Sequence, residues 1–123
     1  MKLLSVLALY LFLSFNLKAQ EKISLDQVKD HIGDSVTVCG KVSGGRFLPA
    51  AKGSPTFLNL GAPYPDQLLT VVIWQDVRNQ FSNKPDEFYL MKEICVTGKI
   101  ELFKNKPQIT LYNYKQLICQ SCK

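Results

Sequence analysis

The chain has 123 residues, a formal net charge of +5 and 46% hydrophobic residues. That length excludes more than one domain of ordinary size, and no tandem repeat or low-complexity tract interrupts it. A positive surplus this small is compatible with a phosphate-bearing partner but does not demand one. Residues 1–19 read as a signal peptide. Lys2 forms a short basic start, Leu3 to Phe15 is an apolar run broken only by Ser5 and Ser14, and Leu17 and Ala19 occupy the small-residue positions before a cleavage point. Cleavage after Ala19 leaves 104 residues beginning at Gln20, with a formal charge of +3 once Lys2 and Lys18 are gone. A retained anchor is the competing reading, but the run falls short of the ~20 residues of a bilayer span. The expectation is an exported protein, periplasmic or secreted, without stable membrane insertion after cleavage.

The next signals, in order, are a short helix and three strands. Ser24 is a good N-cap with Gln27 as capping-box partner, Leu25, Val28 and Ile32 share a face, and Gly33 can close the end. Ser35 to Val42 alternates Val36, Val38, Gly40 and Val42 against Thr37, Cys39 and Lys41, the period of a half-buried strand. Ser43 to Pro55 reads as a loop holding Arg46, Phe47 and Lys52. Thr56 to Gly61 is a second strand, with Leu58 and Leu60 inward and Phe57 and Asn59 outward. Ala62 to Gln67, with two prolines and Tyr64, is a turn. Leu68 to Trp74 is a third strand, with Leu69, Val71 and Ile73 on one face and Thr70, Val72 and Trp74 on the other.

Gln75 to Phe81 and Pro85 to Phe88 read as short helical pieces before a fourth strand near Lys92. From Ile94 the alternation places Ile94, Val96, Gly98, Ile100 and Leu102 inward, and Cys95, Thr97, Lys99, Glu101 and Phe103 outward. Lys104-Asn105-Lys106 is a tight turn, and Pro107 opens a fifth strand carrying Ile109 and Leu111. Tyr112, Tyr114, Leu117 and Ile118 form a short packing segment, followed by a tail, residues 119–123, with a C-x-x-C pair.

Five strands with a helix between the third and fourth is the order of the OB-fold, a small Greek-key barrel. The predicted fold is therefore all-β: a five-stranded OB-fold Greek-key barrel over residues 20–118, with a short N-terminal helix and a helix between strands three and four. An SH3-like barrel is the rival, but it lacks that helix. Cys39, Cys95, Cys119 and Cys122 all follow the signal segment, and an even count there points to disulfides. Cys39 and Cys95 both point off the apolar faces of their strands. If those strands are antiparallel neighbours the two meet, which leaves Cys119 to pair with Cys122. Zinc is the competing reading, but Cys119-Gln-Ser-Cys122 has no second knuckle.

Residues 34–112 resemble the OB-fold domains of the tRNA anti-like group, related to the anticodon-binding domain of class II tRNA synthetases. The likeness lies in Val36-Thr-Val-Cys-Gly-Lys-Val42, Thr56-Phe-Leu-Asn-Leu-Gly61, Thr70-Val-Val-Ile-Trp74, Ile94-Cys-Val-Thr-Gly-Lys-Ile100 and Lys106-Pro-Gln-Ile109. It is nearest in kind to small exported bacterial versions of the domain. The resemblance implies that Phe57 matches an aromatic that stacks on a base. The sequence departs from the pattern in its export signal and in its cysteines at 39 and 95.

An OB barrel binds oligonucleotides or oligosaccharides on the face of strands two and three, between the loops after strands one and four. Single-stranded nucleic acid needs aromatic plates for bases and cations for phosphates. Phe57 and Trp74 are the candidate plates, Lys41, Arg46, Lys52, Lys104 and Lys106 the candidate cations, and Asn59 and Gln108 the candidate base-edge contacts. Each has a plain alternative, Phe57 and Trp74 as packing under loops and the lysines as solvated surface. The leading expectation is a module for single-stranded DNA or RNA. The alternative is a cell-envelope module for an oligosaccharide or a protein. No enzyme is expected. The carboxylates have no paired spacing, the single histidine, His31, has no neighbouring nucleophile, and no metal or cofactor is called for.

Overall fold

The computed structural model describes residues 21–122. The signal-peptide reading of residues 1–19 lies outside the described residues. The elements are β1 (Lys22–Ser24), a 3-10 turn (Leu25–Asp30), β2 (Ser35–Phe47), β3 (Thr56–Leu60), β4 (Leu69–Ile73), α1 (Gln75–Arg78), α2 (Pro85–Phe88), β5 (Glu93–Lys99), β6 (Glu101–Phe103), β7 (Lys106–Leu111), a second 3-10 turn (Tyr114–Gln116) and β8 (Leu117–Cys119).

β2 organises the sheet because it is long enough to serve two sets of partners. Its first half pairs antiparallel with β5, from Ser35↔Lys99 to Lys41↔Glu93, and its other edge takes the short parallel β1. A bulge between Val42 and Gly44 then turns it onto β3, from Val42↔Leu60 to Phe47↔Thr56. β3 pairs antiparallel with β4, and β7 lies parallel to β4. A meander of three strands, a return to the first strand and a parallel last strand make the arrangement OB-like.

Two features of the expected barrel differ. The strands number eight rather than five, since β1, β6 and β8 are three-residue additions. The hydrogen-bonded path is also open, running β6-β7-β4-β3-β2-β5-β8. β5 and β7 approach through side chains instead. An added Cβ at Gly98 of β5 would stand 2.7 Å from Ile109 Cγ2 on β7, so glycine permits that approach.

Period-two alternation builds the core. Val38, Val42, Leu58, Leu60, Leu69, Ile73, Ile94 and Leu111 are all fully buried. Each such side chain stabilises the fold by about 1.5–3 kcal/mol relative to exposure. Ile100 is still buried, but the inward phase breaks after it. Its N–H donates to the Asp34 carbonyl at 3.0 Å and its carbonyl accepts from Gly33 at 2.7 Å, which takes it out of the ladder. The run expected to continue inward as Leu102 therefore restarts as β6, with Leu102 half-exposed. β2 also runs five residues into what the composition suggests is loop. The expected N-terminal helix is a 3-10 turn with the Ser24/Gln27 capping box in place, and Ile32 is left at its edge rather than on its buried face.

α1 and α2 bury Val77 and Pro85, and one further side chain ties both to the sheet. Arg78 Nη1 donates to Asp86 Oδ1 at 2.8 Å and to Thr56 Oγ1 at 2.5 Å, while its guanidinium lies 3.7 Å from the Phe47 ring centroid. Gly45 of β2 faces α2. An added Cβ there would stand 2.7 Å from the Asp86 carbonyl oxygen.

Candidate functional site

The outward face of β2, β3, β4 and β7 carries two cross-strand rows. One runs Arg46, Phe57, Val72, Thr110; the other runs Gly44, Asn59, Thr70, Gln108, with Glu101 of β6 beyond. Residues directly opposite on paired strands lie side by side. Arg46 and Phe57 of the first row and Gly44, Asn59, Thr70 and Gln108 of the second floor a groove of about 590 Å³, and Val72, Thr110 and Glu101 lie outside its lining. Gly44 leaves that floor open. Its nearest neighbour is the Asn59 carboxamide, 3.6 Å from where a Cβ would be.

The walls come from two connections. On one side the β6–β7 hairpin turns through Lys104 and Asn105, both at positive φ, 49° and 66°, the pair of conformations of a type I′ turn. That turn sets Phe103, Lys104 and Lys106 along the groove edge. Lys104 Nζ lies 5.6 Å from the Phe103 ring centroid. On the other side the β3–β4 connection brings Tyr64 and Gln67. Lys106 Nζ donates to the Pro65 carbonyl and lies 5.9 Å from the Tyr64 ring centroid, so it spans both walls. Gln67 Nε2 donates to Thr70 Oγ1 at 3.0 Å.

Six of the nine residues expected to bind line this groove: Arg46, Phe57, Asn59, Lys104, Lys106 and Gln108. The other three lie elsewhere. Lys41 stands on the outer face of the first half of β2, across from Glu93. Trp74 packs on the loop after β2, where an added Cβ at Gly53 would stand 2.8 Å from its ring and Gly53 has a φ of +77°. Gln75 N–H ties the same loop down through the Gly53 carbonyl at 3.1 Å. Lys52 rides on that loop and does not reach the groove lining. Sequence reasoning missed Tyr64, Gln67, Thr70 and Phe103. Phe103 next to Lys104 at the tip of a predicted hairpin was the one available signal; Tyr64 looked like an ordinary turn residue between prolines.

Arg46, Lys104 and Lys106 face the groove, and no carboxylate lines it among the described residues. Aromatic rings, amides and cations without an acid suit an anionic, ring-bearing ligand. Among the described residues no three His, Cys, Asp or Glu side chains gather as ligands. The cysteines form two disulfides, Cys39–Cys95 directly across β2 and β5, and Cys119–Cys122 in the tail.

No protein-family model and no curated protein matches the chain. Solved structures do. A Leishmania major Friedlin protein described as an aspartyl-tRNA synthetase superposes with a TM-score of 0.50 at 12% identity, over 86% of this chain and 22% of that one. The structure of yeast Stn1 and Ten1 superposes with a TM-score of 0.57 at 9% identity, over 89% of this chain and 66% of the other. At such identities the likeness is one of fold.

Proposed function

We propose that the chain is a binding module for single-stranded nucleic acid, which it holds in the groove between the β3–β4 connection and the β6–β7 hairpin. One observation carries the reading: Phe57, Tyr64 and Phe103 converge on one groove with Arg46, Lys104 and Lys106, and no carboxylate joins them among the described residues. Bases stack on the rings, at about 1–3 kcal/mol per base, and phosphates follow the cations. Asn59 and Gln108 on the floor present donors and acceptors to base edges. The fold neighbours support the reading through the shared scaffold, and one is described as a tRNA synthetase. The module binds and does no chemistry.

The proposal includes export. Two disulfides fit an oxidising compartment, and no helix of the described residues is long and apolar enough to cross a membrane. The test is fluorescence anisotropy of a labelled dT oligonucleotide with the wild-type protein, Phe57→Ala and Phe103→Ala. Binding that weakens at least tenfold in each variant supports the groove. Equal binding by all three would place the ligand elsewhere. Salt-insensitive binding of a neutral glycan in this groove would favour the envelope alternative.

A further inference from the structure

The floor of the groove ends at an acid. Its second row runs Gly44, Asn59, Thr70, Gln108, and the residue directly across from Gln108 on β6 is Glu101. Directly opposed residues on paired antiparallel strands face the same side, with Cβ atoms about 4.5–5.5 Å apart. Glu101 therefore sits beside Gln108, just past the groove lining. It shares a face of β6 with Phe103, which does line the groove. The carboxylate is exposed and unpaired, since the ion pairs among the described residues are His31–Asp34 and Arg78–Asp86.

The groove is thus charged unevenly. Arg46 lies at its β2 end, and Lys104 and Lys106 line the hairpin side, where Lys106 donates to the Pro65 carbonyl and joins the two walls. A strand that crosses the floor and continues past Gln108 brings its next phosphate to Glu101. Two like unit charges about 5 Å apart cost a factor of about four in affinity even in bulk water, and more where water is excluded. A sugar hydroxyl fares differently. It donates to a carboxylate oxygen, and such charge-assisted bonds are about twice as strong as neutral ones. The position beyond Gln108 therefore suits the last sugar of a strand and disfavours a phosphate leading onward. Resting on the nucleic-acid reading of the groove, we propose that it takes the hydroxyl-bearing end of a strand, with Glu101 marking where the strand stops. The chemistry at Glu101 is the same for a 3′ and a 5′ hydroxyl.

The test is competition against a labelled dT oligonucleotide bound to the protein. The competitors are the same oligonucleotide, unlabelled, with hydroxyls at both ends, with a phosphate at the 3′ end only, with a phosphate at the 5′ end only, and ligated into a circle. The expected result is that one of the two terminal phosphates weakens binding at least fivefold, which identifies the end that is held. The circle, which has no end, should bind at least tenfold more weakly than the hydroxyl form. Glu101→Gln should bring the hydroxyl and phosphate forms within twofold of each other, and Glu101→Lys should make the phosphate form the tighter. Glu101 is exposed on a three-residue edge strand, so neither change touches the core. Equal competition by all four forms, with Phe57→Ala still weakening each, would overturn the proposal and leave the groove as a site for strand interiors. A preference for hydroxyl ends that persists in Glu101→Gln would overturn the role of Glu101. No binding of the labelled strand would overturn the proposal together with the nucleic-acid reading.

Discussion

Replacing Arg78 with Met should destabilise the protein by about 2–3 kcal/mol, because one guanidinium holds three groups together. Its bond to Asp86 at 2.8 Å is charge-assisted, and such bonds contribute about 1.5–3 kcal/mol. Its position over the Phe47 ring adds about 0.5–1 kcal/mol. Thr56, fully buried, loses its donor as well. The sum is discounted because Arg78 and Asp86 side chains remain 11% and 16% exposed, which lets water reach the stranded carboxylate. Methionine keeps the aliphatic length against Phe47, so the loss is chiefly the charge. In a domain of this size the change should lower Tm by roughly 10–20 °C. Urea unfolding of wild type, Arg78→Met, Asp86→Asn and the double variant measures it, with an unchanged denaturant slope and a coupling of about 1 kcal/mol or more. A loss below about 0.5 kcal/mol, or zero coupling, would refute the view that this pair pins α1 and α2 to β2 and β3.

Gly45→Ala should cost about 1–3 kcal/mol in the same assay and weaken ligand binding, since the added carbon meets the Asp86 backbone and must displace α2 from under the groove floor. Removing the Cys39–Cys95 bridge, whose partners lie 56 residues apart, should cost about 4 kcal/mol by loop entropy, against about 1.6 kcal/mol for Cys119–Cys122 at a separation of 3; denaturation of each Cys→Ala pair variant tests the ratio. Lys104→Met should reduce the slope of log affinity against log salt by about 0.7, while Lys41→Met should leave the slope unchanged because Lys41 lies off the groove.

Where alternation is strict and one face is fully buried, as at Val36 and Val38, Leu58 and Leu60, or Ile94 and Val96, the strands and their inward residues were legible from sequence. The same phase argument brought Cys39 opposite Cys95. It fails where tertiary contacts override period two. Ile100 leaves the ladder to bond the 33–34 turn, so Leu102 and Phe103 belong to a new strand. β2 continues through Gly44 and Gly45, which read as loop because glycine is a poor strand former, yet here Gly45 makes room for the Asp86 backbone and Gly44 leaves the groove floor open. β1 and β8 are too short to show a period and exist because β2 and β5 offer them edges. Phe57, Asn59 and Gln108 were legible as groove residues because they lie outward on regular strands. Trp74 was not, since its contact with Gly53 depends on how the loop after β2 folds back.

The central claim is that the groove binds single-stranded nucleic acid through rings and cations together. A titration of wild-type protein with a labelled dT oligonucleotide over a salt series from 50 to 200 mM tests it most directly. With Arg46, Lys104 and Lys106 each meeting a phosphate, the slope of log affinity against log salt should be roughly −2. No binding at 50 mM salt, or an affinity independent of salt, would contradict the account.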